Sequence, residues 1–371
     1  MSVTVSTIID RMAVLAPPSL AAEWDNPGLQ AGAGSWPVGT VMVALDPTLD
    51  AARAAREAGA GMLITHHPLL FRPLSAVDPE APNGAILEMA LNHKLAIFSA
   101  HTNFDAVPGG VNDILAERLG ITALRPIQLT DRPFCRIAVY APEESTSAIL
   151  DALFEAGAGV IGDYTRCSFR CQGRGTFRPG PTARPQVGEA GKTADVAEVK
   201  IEARLPESLL PTLLARLREC HPYETMAYDI FPLRSEDGGA GIGRFGILDR
   251  PIPLSELGRR ARKSLGTPTV RVAGDSSLSV ERVAVCAGSG SSLMGDFLAS
   301  DAQAFITGDL RYHDARDAEA AGRGLVDVGH FPSEHLAMTV LAERLRAALS
   351  TDGDAVDVYL YDGETDPFRL A

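Results

Sequence analysis

Two adjacent histidines close an apolar run at Ile64-Thr65-His66-His67-Pro68. Successive side chains of a strand point to opposite faces, so the pair is a poor design for a single mononuclear metal site. Where the backbone turns at a strand's carboxyl end, both imidazoles can face one crevice and serve two ions. Taken alone, the pair is equally readable as solvated loop histidines, and two later stretches change that. His101-Thr102-Asn103-Phe104-Asp105 follows a second short apolar run, and Gly329-His330-Phe331-Pro332-Ser333-Glu334 follows a third. His330 and Glu334 stand four apart around a helix start, so both can reach one point. His66, His67, Asp105, His330 and Glu334 thus form a candidate set of three imidazoles and two carboxylates. Such a set suits Zn, Mn, Fe or Co rather than calcium or a thiolate-bound structural zinc. Five ligands exceed what one catalytic ion with an open position takes, and fit two ions ~3.5–4 Å apart. His101 and Asp309 are candidates to orient the ligands or to transfer protons.

These residues need elements to position them. Residues 4–15 carry helical spacing, 40–45 read as a strand ending in Asp46-Pro47, 49–58 as a helix, and 61–64 as the strand before His66. A helix at 85–91 and a strand at 95–99 follow. This order predicts a parallel sheet with right-handed crossovers, whose ligands collect at the carboxyl ends of the strands. Three successive strands would then finish in Asp46, in His66-His67, and in the His101–Asp105 stretch. Glu23-Trp24-Asp25-Asn26-Pro27-Gly28-Leu29 is either a packed loop or one edge of the site. The rhythm resumes after 236, with strands at 282–286, 304–306 and 324–328, helices at 291–298 and 311–321, and a long helix at 334–349. Pro332 fits a first helical turn, where its missing N–H costs nothing.

Between these halves the pattern changes. Strand 136–140, helix 145–156, strand 199–205, helix 209–217 and strand 227–231, with one further strand in the interval, predict a small ferredoxin-like α+β unit. The expected partition is therefore a metal-binding domain built from 1–128 and 236–371, interrupted by an insert at 129–235, with Gly238-Gly239-Ala240-Gly241 as linker. The expected body is a three-layer α/β fold with a parallel or mixed sheet. Gly173-Arg174-Gly175-Thr176-Phe177-Arg178-Pro179-Gly180 resembles a phosphate-cradling loop but lacks the Gly-Lys-Ser/Thr ending, so a plain loop or a subunit contact is expected. His221-Pro222-Tyr223-Glu224 reads as a structural turn.

The chain has 371 residues, 46% hydrophobic and 22% charged, which suits a soluble protein of two domains with a real core. A net charge of -13 and a pI near 5.1 argue against a nucleic-acid footprint. No apolar run approaches the ~20 residues of a membrane span. Acidic Asp10 precedes the first basic residue, Arg11, which speaks against a secretory signal. Five cysteines form an odd, sparse set that fits a reducing cytoplasm, and the one close pair, Cys167 and Cys171, is expected to be buried thiols.

The stretches at 23–29, 64–71, 101–105, 306–309 and 329–334 together resemble the Nif-three-like family of dinuclear-metal, hexameric proteins, many of them named as homologues of GTP cyclohydrolase I type 2. The resemblance spans nearly the whole chain. It implies His66, His67, Asp105, His330 and Glu334 as ligands of two divalent ions, and a homohexamer with trimer contacts through the insert. The middle segment is similar to the PII/CutA-type insert of longer bacterial members, with 173–179 and 221–224 as its signatures. The expected activity is metal-dependent hydrolysis of a small molecule by an activated water, with the GTP-opening cyclohydrolase reaction as the named case and phosphoester cleavage as its enzyme alternative. The rival from another class is a metal-binding regulator or metallochaperone that does not turn over.

Overall fold

The computed structural model describes residues 3–130, 134–162, 164–233, 239–351 and 355–369. The chain forms two compact units, one from residues 1–131 with 237–371 and one from 132–236. The expected boundary at 235 and 236, and Gly238 of the expected linker, lie outside the described residues.

The first segment runs α1 (Val5–Leu15), β1 (Gly28–Ala31), β2 (Thr40–Ala44), α2 (Leu49–Glu57), β3 (Met62–Thr65), α3 (Pro82–His93), β4 (Ala96–Ser99), α4 (Thr102–Ala106), α5 (Val111–Arg118) and β5 (Thr122–Leu129). The middle segment is β6 (Phe134–Ala141), α6 (Thr146–Glu155), β7 (Phe169–Phe177), β8 (Ala194–Pro206), α7 (Leu210–Cys220) and β9 (Ala227–Pro232). The last runs β10 (Gly241–Pro253), α8 (Leu254–Leu265), β11 (Arg271–Ala273), β12 (Ser279–Ser289), α9 (Met294–Ala299), β13 (Ala304–Gly308), α10 (Tyr312–Ala320), β14 (Gly324–Asp327), α11 (His330–Thr351) and β15 (Asp357–Leu360).

The larger unit holds two mixed sheets, ordered β1-β4-β3-β2-β15 and β11-β14-β13-β12-β10-β5. Strands β15, β2, β3 and β4 are parallel, as are β12, β13 and β14, while β1, β10, β5 and β11 pair antiparallel with their neighbours. A single three-layer body is therefore replaced by two sheets. The physical reason is that each half of the sequence winds its own strand-helix-strand repeats, and helices α1, α5 and α11 fill the space between. Ile8 and Met12 of α1, Leu115 of α5, and Met338, Leu341 and Leu345 of α11 share one core with Val43 and Ile64 of the first sheet and Val283, Val285 and Val326 of the second. The outer faces are covered by α2 and α3 on one sheet and by α9 and α10 on the other. Strands buried on both faces must be apolar throughout, which is why β2, β3 and β4 read as unbroken runs rather than alternating ones.

Several elements extend past the bounds expected from sequence. The long helix opens at His330 rather than Glu334, which puts both residues on the helix, about one turn apart. Gly241 opens the strand β10 instead of serving as linker. Gly173 and Gly175 lie in β7 rather than a loop, because the ladder to β8, with Gly173 opposite Glu198, outweighs the poor strand propensity of glycine. The middle unit is an antiparallel sheet ordered β7-β8-β6-β9, with Ile149, Leu153, Leu213 and Leu217 of its two helices packed on Ile137, Val139, Ile201 and Leu205. Cys167 and Cys171 are not buried thiols: the first is half-buried and the second exposed.

One buried ion pair in the larger unit fixes a loop that the site depends on. Arg244 of β10 is 2% exposed and meets Asp113 of α5 at 2.5 Å. The same guanidinium donates to the carbonyls of Ala106 and Val107, directly after Asp105. Replacing Arg244 by methionine removes the guanidinium from the Asp113 carboxylate, leaving it the Gly109 N–H, and from these carbonyls, and the expected cost is about 3–5 kcal/mol. Urea unfolding of Arg244→Met against wild type measures it, and an unchanged midpoint would show that the pair contributes nothing.

Candidate metal centre

The site is assembled where strands of both sheets end. Strand β2 stops before Asp46, β3 before His66-His67, and β4 before His101, all at the carboxyl ends of adjacent parallel strands. In the second sheet β13 ends before Asp309 and β14 before His330. Asp309 sits at φ 53°, in the left-handed region that aspartate tolerates better than most residues. That turn brings its carboxylate to His330 Nδ1 at 2.7 Å.

Every imidazole at the centre has its Nδ1 engaged. His66 Nδ1 donates to the carbonyl of Ala100 at 2.8 Å, His67 to Asp46 at 2.8 Å, His101 to Asp25 at 2.7 Å, and His330 to Asp309. The tautomer is thereby set and Nε2 is left as the ligand atom, the arrangement in which histidines bind metals. Two groups of side chains bring one ligand atom each within 4.8 Å of one another: His66, His67 and His101, and His67, His330 and Glu334.

Glu334 lies in the middle. Its Oε2 is 3.1 Å from His67 Nε2 and 3.0 Å from His330 Nε2, and its Oε1 is 3.8 Å from His66 Nε2. The two Nε2 atoms of His67 and His330 approach to 3.4 Å, and Asp105 Oδ1 lies 3.6 Å from His66 Nε2. Tetrahedral bonds of ~2.0–2.1 Å to one ion separate ligand atoms by ~3.3–3.4 Å, so these spacings are those of a ligand shell. His66 Nε2, Asp105 Oδ1 and Glu334 Oε2 are fully buried and none makes a hydrogen bond, however near its neighbours are. Buried polar atoms without partners are rare and costly. His66 Nε2 and Asp105 Oδ1 lie 3.6 Å apart and Glu334 Oε2 belongs to the group with His67 and His330, an arrangement that suits bound cations.

The space around the Glu334 carboxylate is tight. Gly288 adopts φ +62°, and a Cβ there would sit 2.1 Å from Glu334 Oε1. Its N–H donates to Ser333 Oγ, whose hydroxyl donates to the His330 carbonyl. Asn112 donates to the Asp105 carbonyl and accepts from Ala287 N–H, tying the Asp105 loop to β12. Glu364 accepts the N–H groups of Leu45 and Asp46 and so holds the end of β2 from the chain beyond β15.

The electrostatics follow from the packing. Burial alone would raise the Glu334 carboxyl, yet His330, His66 and His67 hold it well below the ordinary carboxylate range. Burial opposes a charged His67, but Asp46 and Glu334 push it up to about 10. Glu334 pushes His330 up to about 9, with Asp309 adding to it against burial. His66 is raised despite complete burial by Asp105 and Glu334, while burial raises Asp105 against the pull of His66. Burial works against Asp25, but His101 and Thr102 lower it to about 2.

Of the five residues expected as ligands, His66, His67, His330 and Glu334 fall in the two groups, and Asp105 stands beside His66 outside both, with Asp309 on His330 and with His101 grouped beside His66 and His67. The Nδ1 partners Asp25 and Asp46 are additions: the first lies in the 23–29 stretch, the second at the end of an expected strand. Beside His67 and His330 opens a cavity of about 600 Å3 whose walls include Arg271, Arg369, Phe331 and Phe368. Trp24 and Phe71, 5.9 Å apart edge to face, stand on the His101 side. Among the described residues no helix is long and apolar enough to cross a membrane.

A family model described as Duf34/NIF3 (NGG1p interacting factor 3) matches residues 3–367. A Halalkalibacterium halodurans protein named GTP cyclohydrolase 1 type 2 homolog is 36% identical over 365 residues, covering 98% of each chain. A Mycobacterium tuberculosis protein of the same name is 38% identical over 377 residues, covering 100% of this chain and 98% of the relative. A crystal structure of a Bacillus cereus protein related to NIF3 superposes with TM-score 0.71 at 34% identity, covering 99% of both chains.

Protons and metal compete for the same nitrogens, so pH is a direct probe. A pKa of His67 raised from 6.5 to about 10 stabilises the metal-free protein fully below pH 6.5, and the stabilisation is lost as pH rises toward 10. Chelator-treated protein should therefore lose thermal stability across that window, and added Zn should flatten the loss and release protons at neutral pH. Thermal unfolding with and without Zn, together with a pH-indicator titration, checks both. Metal uptake without proton release would contradict the assignment.

Proposed function

The chain belongs to the Duf34/NIF3 family, and on that premise we propose that it is a dinuclear metal-dependent hydrolase acting on a small anionic substrate, of the GTP cyclohydrolase 1 type 2 kind for which its relatives are named. The observation that carries this reading is the pair of three-residue groups that share His67, namely His66, His67 and His101, and His67, His330 and Glu334, with Asp105 Oδ1 3.6 Å from His66 Nε2. His66, His67, Asp105, His330 and Glu334, with His101 alongside, would hold two divalent ions such as Zn, Mn, Fe or Co. Ions held there supply Lewis acidity and a water acidic enough to act as nucleophile near neutral pH.

The chain's own residues do the rest. Asp46, Asp309 and Asp25 keep His67, His330 and His101 in one tautomer and one orientation. Asp309 lines the open cavity as well as touching His330, which suits it to take a proton from the reacting centre. Arg271 and Arg369 offer charge to an anionic group, and Phe331 and Phe368 offer flat apolar faces to a ring, a combination that suits a nucleotide. Arg271 is already paired with Asp327, so a bound anion would have to compete for it.

In the same reading the protein works as a cytoplasmic homohexamer. The middle unit is a ferredoxin-like insert of PII/CutA type, its strand-helix-strand-strand-helix-strand order and sheet order β7-β8-β6-β9 supporting that description. Its exposed edge strands β7 and β9 suit pairing around a threefold axis.

Two measurements test the proposal. Protein purified without chelator should hold close to two divalent ions per chain and hydrolyse a member of a nucleotide and phosphoester panel in proportion to occupancy. His66→Ala combined with Glu334→Ala should remove most metal and at least about a hundredfold of the turnover. Metal binding with no hydrolysis across the panel would favour the regulator or metallochaperone instead. Light scattering at micromolar concentration should report six copies, and a monomer would remove the assembly claim.

A further inference from the structure

The middle unit contains a second cavity that metal chemistry does not use. It measures about 490 Å3 and lies between β7, β8, the turn after α7 and the loop at 179–192. That loop is fastened across it: Arg184 N–H donates to Glu224 at 2.9 Å, and Gly191 N–H donates to the Pro179 carbonyl at 2.9 Å. His221 shapes the turn, accepting the Tyr223 N–H at Nδ1 and donating from Nε2 to the Tyr140 carbonyl. The expected structural turn is therefore also one wall of a cavity.

Three features of the lining define what would fill it. The rings of Phe177 and Tyr223 stand 6.4 Å apart, and Tyr140 adds a third aromatic face. The Tyr223 hydroxyl oxygen is fully buried and makes no hydrogen bond, although the Glu198 carboxylate is its close neighbour. Glu198 itself extends across Gly175, where a Cβ would sit 2.1 Å from its Oε2, so the glycine keeps open the space the carboxylate occupies. No lysine, arginine or histidine is among the lining residues.

We propose that this cavity is a binding site for a small organic ammonium ion with an apolar body. A phosphate or carboxylate would find no positive partner there and would face Glu198. An ammonium group finds the Glu198 carboxylate and aromatic faces, both attractive to a cation. Burial and Glu198 push the Tyr223 phenol up to about 12, so it stays neutral beside the carboxylate. A bare metal ion does not fit, because both groups of metal-capable side chains found among the described residues lie in the other unit.

The probes are tryptamine, its neutral counterpart tryptophol and its anionic counterpart indole-3-propionate, titrated calorimetrically into the full-length protein. Tryptamine should bind saturably at millimolar or lower concentration, about tenfold or more tighter than tryptophol, with indole-3-propionate not binding. Glu198→Gln should weaken tryptamine by about tenfold or more, and Gly175→Ala should do likewise by displacing the carboxylate without removing it. Chelating all metal should leave tryptamine binding intact, which distinguishes this site from the metal centre. Equal binding of the acid, tryptamine affinity unaffected by Glu198→Gln, or no saturable tryptamine binding at millimolar concentration would each overturn the assignment.

Discussion

Glu334 is buried with its carboxylate oxygens 3.0–3.8 Å from three imidazole nitrogens, and an isolated carboxylate at that depth would cost several kcal/mol. Positive charge has to be present beside it, as protons on the imidazoles or as metal. Much of the surrounding architecture serves that requirement. The imidazoles must face inward with Nε2, so each needs a partner for Nδ1, and the partners come from four separate strand ends or loops: Ala100, Asp46, Asp25 and Asp309. Those strand ends must lie near one another, which demands parallel strands in two sheets closing on a common point. The long helix α11 completes the constraint, because its N-terminal end presents His330 and Glu334 one turn apart while its body fills the core between the sheets.

The two units divide different kinds of chemistry. In the larger one, imidazoles and carboxylates cluster at depth, and Gly288 leaves room for the Glu334 carboxylate. In the middle unit a carboxylate, a phenol and aromatic faces surround open space. The first arrangement suits an ion and the second suits a molecule. A regulator and a catalyst in one chain would need both kinds of site, and the insert's cavity depends on no residue that touches the metal cluster.

The site was legible because its residues interrupt apolar runs. His66-His67 after β3, the His101–Asp105 stretch after β4 and His330 after β14 stand out against strands buried on both faces, where any polar side chain is costly. What escaped was whatever depends on distant partners. Asp25 is one acid in a turn-rich string until His101 is seen beside it, and Glu364 is an ordinary surface-type residue until it meets the N–H groups of Leu45 and Asp46. Gly173 and Gly175 carry loop propensity, and only the ladder with β8 makes them strand. Two separate sheets rather than one could not be inferred either, since strand order within each half is the same in both arrangements.

The placement of β15 has a consequence for biosynthesis. Thr40 to Val43 of β2 pair with Asp357 to Leu360, and Glu364 then secures the N–H groups at the end of β2. While the chain is being made, β2 and β3 can pair as soon as they emerge, but the outer edge of β2 has no partner until nearly the whole of the sequence has followed. The middle unit, whose strands are contiguous in sequence, can fold in that interval. The β2 edge therefore stays open through most of synthesis, the condition in which nascent chains aggregate or recruit chaperones. His330 and Glu334 also arrive late, so the cluster they share with His67 is completed only near the end of the same process.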